Sequence, residues 1–180
     1  MRRLALTLAL AATVASAPRG AWAAAALEMA VKAAYLYRFA AFVQWPPGAF
    51  NGPGTPAQIC IAGDDPFGNV LDQAVKGKKI ANHPISIVRL DRVDKAPPCQ
   101  ILFVAPSPRR RVAETLDKVR GSPILTVTDS GADPADRGVI DFVLQDNRVR
   151  FRIDGRAAVE GGLAISSKLR RLAIGSGGPP

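Results

Sequence analysis

The spacing of apolar residues changes along the chain, and each spacing predicts a different kind of element. Residues 24–45 contain no Gly or Pro, and large apolar side chains recur there every three or four residues, at Leu27, Val31, Tyr35, Phe39 and Phe42. That period predicts a long amphipathic helix, which the Pro-Pro-Gly that follows would end. We expect the apolar stripe to pack in the core. A partner surface that includes Trp45 is the alternative.

Short apolar runs rich in β-branched residues follow the helix and predict strands over residues 58–62, 85–90, 100–105 and 124–128. Two helical segments lie between them. One is predicted to begin at Asp65 and Pro66 and the other at Ser107 and Pro108, each pair acting as N-cap and first helical residue. Continuous apolar strands that alternate with helices predict a single three-layer α/β domain, with a mostly parallel sheet flanked by helices.

The last strands have a different pattern. Residues 138–144 and 149–153 predict a C-terminal antiparallel hairpin, because Asp146 and Asn147 between them tolerate the positive φ angles of a tight turn. In the second strand three basic side chains share the face opposite the apolar ones: Arg148, Arg150 and Arg152. A short helix is expected over residues 164–172, and a disordered tail over 175–180.

The first 23 residues are predicted to be a cleavable secretory signal peptide. Arg2 and Arg3 precede an uncharged apolar run, and Ala21, Trp22 and Ala23 provide a small-x-small cleavage pattern. The run is ~14 residues long, short of the ~20 needed to span a bilayer. We therefore expect an exported, periplasmic protein whose domain covers residues 24–174.

Charge and composition narrow the classes of function. The 180-residue chain has 24 basic and 15 acidic residues and a net charge of +9. Loss of residues 1–23 removes three Arg and no acid, which leaves +6 on 157 residues. Export argues against a nucleic-acid partner and favours an acidic protein or an anionic membrane surface. Two Cys and one His are too few for the usual zinc sites, so we expect no metal and no cofactor.

The two cysteines belong to neighbouring predicted strands. Cys60 lies in the first strand and Cys99 just before the third, so both would lie near the amino-terminal edge of a parallel sheet. In an exported chain we expect them to form a disulfide, with two buried free thiols as the alternative.

Few residues suggest catalysis. His83 is the one imidazole, and the chain has no Gly-x-Ser-x-Gly elbow around a nucleophile. Three carboxylates follow predicted strands, where open α/β sheets place ligands: Asp64, Asp65 and Asp129. They could form a ligand crevice, although Asp65 also fits a helix cap. Arg109 to Arg111 and the three Arg of the last strand are solvated faces or docking surfaces for an acidic partner.

Six segments in series resemble the YfiR-like family of periplasmic regulators. They are VKAAYLYRFAAFVQWP (31–46), ICIAGDDPFG (59–68), CQILFV (99–104), ILTVTD (124–129), GVIDFVLQDNRVRFRID (138–154) and LAISSKLRRLA (163–173). The resemblance implies a protein that is not an enzyme. It would repress an inner-membrane diguanylate cyclase through the cyclase's periplasmic domain, and an OmpA-like outer-membrane lipoprotein could sequester it.

The resemblance also bears on single residues. Cys60 and Cys99 fall where the family can form a disulfide, whereas the second Cys pair of some members is absent and Arg38 stands where Asn is expected. The leading hypothesis is a partner-binding regulator that uses Trp45, Arg148, Arg150 and Arg152. The alternative is a periplasmic small-ligand sensor that uses the Asp crevice. The sequence leaves open whether the protein forms a homodimer.

Overall fold

The computed structural model describes residues 19–107, 111–129 and 133–175. The described helices are α1 Arg19–Phe39, α2 Asn69–Val75, α3 Val112–Val119, α4 Gly155–Glu160 and α5 Ser167–Leu172. The described strands are β1 Val43–Gln44, β2 Ala57–Ala62, β3 Lys79–Ile80, β4 His83–Leu90, β5 Ile101–Val104, β6 Leu125–Thr128, β7 Ile140–Gln145, β8 Arg148–Ile153 and β9 Ala164–Ile165. Single 3₁₀ turns occur at Ala40–Phe42 and Pro134–Asp136. Residues 1–18 of the predicted signal peptide lie outside the described part, as does the predicted tail beyond Gly175, whereas residues 19–23 belong to α1.

Seven strands form one mixed sheet in the order β3-β4-β2-β5-β6-β7-β8. The strands β4, β2, β5, β6 and β7 run parallel, whereas β3 and β8 at the two edges are antiparallel to their neighbours. The prediction of an α/β domain with a mostly parallel sheet is confirmed. The small strands β1 and β9 pair antiparallel outside this sheet, with Val43 opposite Ile165.

Apolar side chains of the central strands alternate between two clusters, one on each face of the sheet. On one face, Ile59, Ile61 and Phe103 are buried with side chains of α1 and α2. On the other face, Leu102 and Val104 are buried with Val112 and Val119 of α3. This alternation follows from the period of two along a strand and explains why the strands read as continuous apolar runs.

Cys60 and Cys99 form a disulfide in this structure, with their Cα atoms 6.0 Å apart. Cys60 is in β2, and Cys99 lies just before β5, the strand that pairs with β2. Both cysteines are buried in the cluster beneath α3. The bridge therefore ties the middle of β2 to the segment that leads into β5.

The first helix is shorter at its C-terminal end than the sequence pattern predicts. It ends at Phe39, six residues before Trp45, and the chain then makes a 3₁₀ turn and enters β1. The prediction of a helix to residue 45 was wrong because Val43 pairs with Ile165 near the other end of the sequence. A local periodicity carries no information about such a distant partner.

The predicted starts of the next two helices were also too early. Asp65 does not cap a helix: its Oδ1 accepts a hydrogen bond from the Phe67 backbone N–H at 2.8 Å, and α2 begins only after Gly68. Ser107 is not an N-cap either, since Arg111 occupies that position before α3. In each case the helix begins several residues after the predicted N-cap, at Asn69 and at Val112.

The C-terminal segment contains a helix, α4, that the sequence pattern did not predict. Asp154 accepts hydrogen bonds from the backbone N–H groups of Arg156 and Ala157 and caps α4. The helix predicted over residues 164–172 begins at Ser167, capped by the Ser166 side chain, because Ala164 and Ile165 belong to β9.

Candidate functional site

The hairpin of β7 and β8 presents the basic residues that the sequence singles out. Its turn residues Asp146 and Asn147 have φ angles of 50° and 56°, as predicted for a tight two-residue turn. Arg148 and Arg150 are exposed on β8. Phe151, which separates Arg150 from Arg152, is buried against Phe39 of α1. The hairpin therefore holds two exposed guanidinium groups on a rigid element.

Arg152 differs from the other two arginines of β8. Its side chain is about one-third exposed, and its Nη1 lies 3.6 Å from Oδ2 of the buried Asp141 on β7. Asp141 Oδ1 accepts a hydrogen bond from the Thr128 hydroxyl at 2.8 Å. Arg152 thus contributes to charge balance inside the fold, whereas Arg148 and Arg150 form no salt bridge with any residue of the described ranges.

Trp45 lies at the opposite edge of the sheet from these arginines. Its ring is 5.8 Å from that of Phe50, and Phe50 stacks on His83 at the start of β4. His83 begins β4, whereas the hairpin turn follows the carboxyl end of β7, which runs parallel to β4. Trp45 and the hairpin turn therefore lie at opposite ends of the parallel strands. Trp45 is partly buried, and its indole Nε1 is buried without a hydrogen-bond partner in the described structure. Trp45 and Arg148 therefore do not share one surface.

His83 has a structural environment. Its Nδ1 lies 2.7 Å from the Thr55 carbonyl oxygen, so this nitrogen carries the proton and donates. The imidazole stacks on Phe50 with ring centroids 4.7 Å apart and an interplanar angle of 12°. These two contacts hold the Pro- and Gly-rich loop between β1 and β2 against the start of β4.

A crevice lies where the order of the parallel strands reverses, between β2 and β5. In open α/β sheets this switch point, at the carboxyl ends of the strands, is the usual place for a ligand. The crevice has a volume of about 230 Å³. Its lining includes Gly63, Asp64, Asp91, Ser107, Arg111 and Thr115. Arg111 also pairs with Glu114 at 2.9 Å, while Arg109 and Arg110 of the predicted basic cluster lie outside the described residues.

Of the three carboxylates expected in one crevice, the structure places only Asp64 there. Asp65 Oδ2 instead accepts a hydrogen bond from Arg89 Nε at 2.7 Å. Arg89 also donates to Asp72 at 2.6 Å, and this hydrogen bond lowers the pKa of Asp72. Asp129 follows β6, and β5 lies between β6 and β2, so Asp129 is two strands away from Asp64.

Asp129 is paired with a buried lysine that was not among the residues predicted from the sequence. Lys32 of α1 is 2% exposed, and its Nζ donates to Asp129 Oδ2 and to Glu28 Oε1, both at 2.5 Å. Burial would lower the pKa of Lys32, but the two carboxylate hydrogen bonds outweigh it and raise that pKa. A signal was present in the sequence, because Lys32 lies four residues before the buried Leu36 and four after Glu28.

The described residues offer no metal site and no membrane-spanning helix. Over residues 19–107, 111–129 and 133–175, no group of three or more His, Cys, Asp or Glu side chains could hold a metal ion. Within the same ranges, no helix combines the length and the apolar character that crossing a membrane requires.

Comparison with known protein families identifies the family of this chain. The search of curated proteins returns no significant similarity. The sequence model of the family described as YfiR/HmsC-like matches residues 29–174. This match begins within α1 and extends beyond α5, so it includes the whole seven-stranded sheet, the disulfide and the basic hairpin. With most of its length covered in one continuous match, the chain belongs to the YfiR/HmsC-like family.

Proposed function

We propose that this protein is an exported periplasmic regulator that represses an inner-membrane diguanylate cyclase by binding the cyclase's periplasmic domain. The observation that carries the proposal is the YfiR/HmsC-like match over residues 29–174, since regulators of this kind characterise the family. The protein acts by contact and not by catalysis. Repression lowers cyclic di-GMP and limits biofilm formation.

The exposed pair Arg148 and Arg150 is the docking element of this proposal. Two guanidinium groups on a β-hairpin suit carboxylates of a partner, and such pairs govern association rate and specificity more than raw affinity. Arg152 and Trp45, the other interface residues expected from the sequence, play lesser parts. Arg152 faces Asp141, and Trp45 is partly buried at the far edge of the sheet.

Export by a signal peptide cleaved after Ala23 is part of the proposal. Residues 22–27 of α1 are exposed, and partial burial begins at Glu28. Of the side chains whose burial is described, cleavage after Ala23 would remove only the exposed Trp22 and Ala23. Mass spectrometry of the protein purified from its native compartment should give a chain that begins at Ala24. A chain that retains residues 1–23 would contradict cleavage.

Deletion of the gene tests the repressor function directly. Cellular cyclic di-GMP should rise several-fold in the deletion strain and return to its original level when the full-length gene is restored. A matched control restores the gene without residues 1–23, which keeps the protein on the cytoplasmic side. That control should fail to lower cyclic di-GMP. Unchanged cyclic di-GMP in the deletion strain, with the cognate cyclase expressed, contradicts the proposal.

Release of the repressor is proposed to follow sequestration by an OmpA-like outer-membrane lipoprotein. Such a lipoprotein would compete with the cyclase for the same chain. Raising its level in cells should therefore raise cyclic di-GMP only when the repressor gene is present.

A homodimer is a further proposal. Light scattering of the purified protein at micromolar concentration measures its molecular mass and so tests for a dimer.

The crevice between β2 and β5 supports a second candidate function, a periplasmic small-ligand sensor. It lies at the switch point of the sheet and combines Asp64 with Arg111, so it offers both signs of charge. A thermal-shift screen of amino acids and other metabolites should find a compound that stabilises the wild type but not an Asp64→Ala, Arg111→Ala variant. Absence of stabilisation by every compound, together with capture of a membrane cyclase, would end this candidate.

A further inference from the structure

A second concave surface lies at the hairpin end of the domain. It is a groove of about 550 Å³ between α1 and the tip of the β7–β8 hairpin. One wall consists of Leu27, Val31 and Tyr35, which recur every four residues and so share one face of α1. The opposite wall contains Leu144 and residues 147–150. We call this surface the α1–hairpin groove.

The walls of the α1–hairpin groove expose large apolar side chains. Leu27 is 67% exposed and Leu144 is 51% exposed, on facing elements. Tyr35 and Val149, both partly buried, extend the apolar surface inward to Phe39 and Phe151. Contiguous exposed apolar surface bordered by charge is typical of an interaction site. The groove therefore fits an apolar side chain of another molecule.

The charges around the groove are predominantly positive. Arg148 and Arg150 belong to its lining and have no salt bridge within the described ranges. Glu28, also in the lining, is already paired with Lys32 at 2.5 Å. The guanidinium groups thus remain to attract carboxylates, and this charge complementarity indicates an acidic occupant.

A second copy of the chain is a poorer occupant. A twofold contact through the same surface would bring Arg148 and Arg150 of one protomer toward the same residues of the other. Each copy also carries a net positive charge. Like charges at such a contact oppose association.

We propose that the α1–hairpin groove binds a segment of a protein partner that combines large apolar side chains with Asp or Glu. The apolar side chains lie between Leu27 and Leu144, and the carboxylates pair with Arg148 and Arg150. Identifying that partner as the periplasmic domain of the diguanylate cyclase rests on the proposed function. The position and chemistry of the groove rest on the structure alone.

Binding to the purified periplasmic domain of the cognate cyclase provides the test. Leu144→Asp and the double variant Arg148→Glu, Arg150→Glu should each weaken binding by tenfold or more. The double variant should also lose most of the salt dependence seen with the wild type. Val159→Asp, at a 69% exposed apolar residue of α4 outside the groove, and Arg171→Glu, at an exposed arginine of α5, are matched controls that should bind within twofold of the wild type.

The outcomes separate the groove from the proposed function. If the wild type binds and the groove variants bind equally well, the groove proposal is overturned and the repressor function stands. If the wild type does not bind the cyclase domain, photo-crosslinkers at Leu27, Leu144 and Val159 in cells decide the groove. Crosslinks to an acidic, apolar peptide from the first two positions, abolished by the double arginine variant, support it. No crosslinks beyond those at Val159 overturn it. A dimer in light scattering that Leu144→Asp converts to a monomer also overturns it, in favour of a second copy.

Discussion

Lys32 Nζ and Asp129 Oδ2 lie 2.5 Å apart, although the two residues are separated by 97 positions in the sequence. Lys32 is buried on α1, and Asp129 follows β6 at the carboxyl edge of the sheet. The same ammonium also binds Glu28 one helical turn earlier. The contact fixes α1 along the sheet and, with it, one wall of the α1–hairpin groove.

Replacing Lys32 with Met should lower the free energy of unfolding by about 2–3 kcal/mol. Removing one member of a buried ion pair costs about 3–5 kcal/mol. Asp129 and Glu28 keep about a quarter of their side chains exposed, so water recovers part of this loss. Urea unfolding followed by circular dichroism measures this change in the free energy of unfolding. Lys168→Met, at an exposed lysine of α5, is the control, and equal effects of the two variants would refute the assignment.

The Lys32 contribution should disappear at alkaline pH. Because the folded state raises the pKa of Lys32, the stabilisation is complete below the unfolded pKa of about 10.5 and is lost as pH rises through the higher folded pKa. The difference in unfolding free energy between wild type and Lys32→Met should therefore be constant from pH 6 to 9 and shrink as the pH rises above 10.5. A difference that grew with pH would have the wrong sign.

Loss of the disulfide should destabilise the domain by about 2–4 kcal/mol. The bridge closes a loop with a sequence separation of 39 residues, which corresponds to roughly 4 kcal/mol in the chain-entropy model. The double variant Cys60→Ala, Cys99→Ala, measured by urea unfolding, tests this. Wild type unfolded with a reductant present should behave similarly. A variant as stable as the oxidised wild type would show that the bridge adds no stability.

Gly138 should tolerate no side chain. A Cβ built on it would lie 2.8 Å from the Thr126 carbonyl oxygen and 2.9 Å from Thr126 Oγ1. The Thr126 hydroxyl already accepts a hydrogen bond from the Val139 N–H at 2.9 Å, so it cannot move away freely. We expect Gly138→Ala to lose about 1–3 kcal/mol through overpacking. Thermal unfolding should show a lower Tm for this variant.

Gly155→Ala is the control for this position. A Cβ there meets nothing within 4 Å, and Gly155 lies in the first turn of α4. Alanine favours helix, so this variant should match or exceed the wild type. Equal loss at both positions would show that the Thr126 contact is not the cause.

Sequence patterns predicted an element correctly where the interactions that form it join residues close together in the sequence. The hairpin is an example, since Asp146 and Asn147 supply its positive φ angles and the flanking alternation sets its register. The end of α1 could not be predicted in this way, because it depends on the pairing of Val43 with Ile165. Asp65 was misassigned because a side chain that caps a helix can equally accept a hydrogen bond within a turn, as it does from Phe67.

The candidate sites depended even more on long-range geometry. The sequence placed Asp64 and Asp129 after strands but could not indicate that β5 separates those strands in the sheet. It identified the basic side chains of β8 but not that Arg152 faces Asp141 while Arg148 and Arg150 remain exposed. Leu27 and Leu144 belong to elements predicted separately. Nothing in either pattern indicated that they line one groove.

The aromatic packing of α1 has a consequence for how the chain is made. Tyr35 and Phe39 are synthesised early, whereas Phe142 and Phe151, which pack against Phe39, follow roughly one hundred residues later. Ribosomes add about 5–20 residues per second, so this helix face waits roughly 5–20 s for its partners. Throughout that interval the nascent chain carries an uncovered aromatic surface, and transiently exposed apolar surface of this kind promotes aggregation.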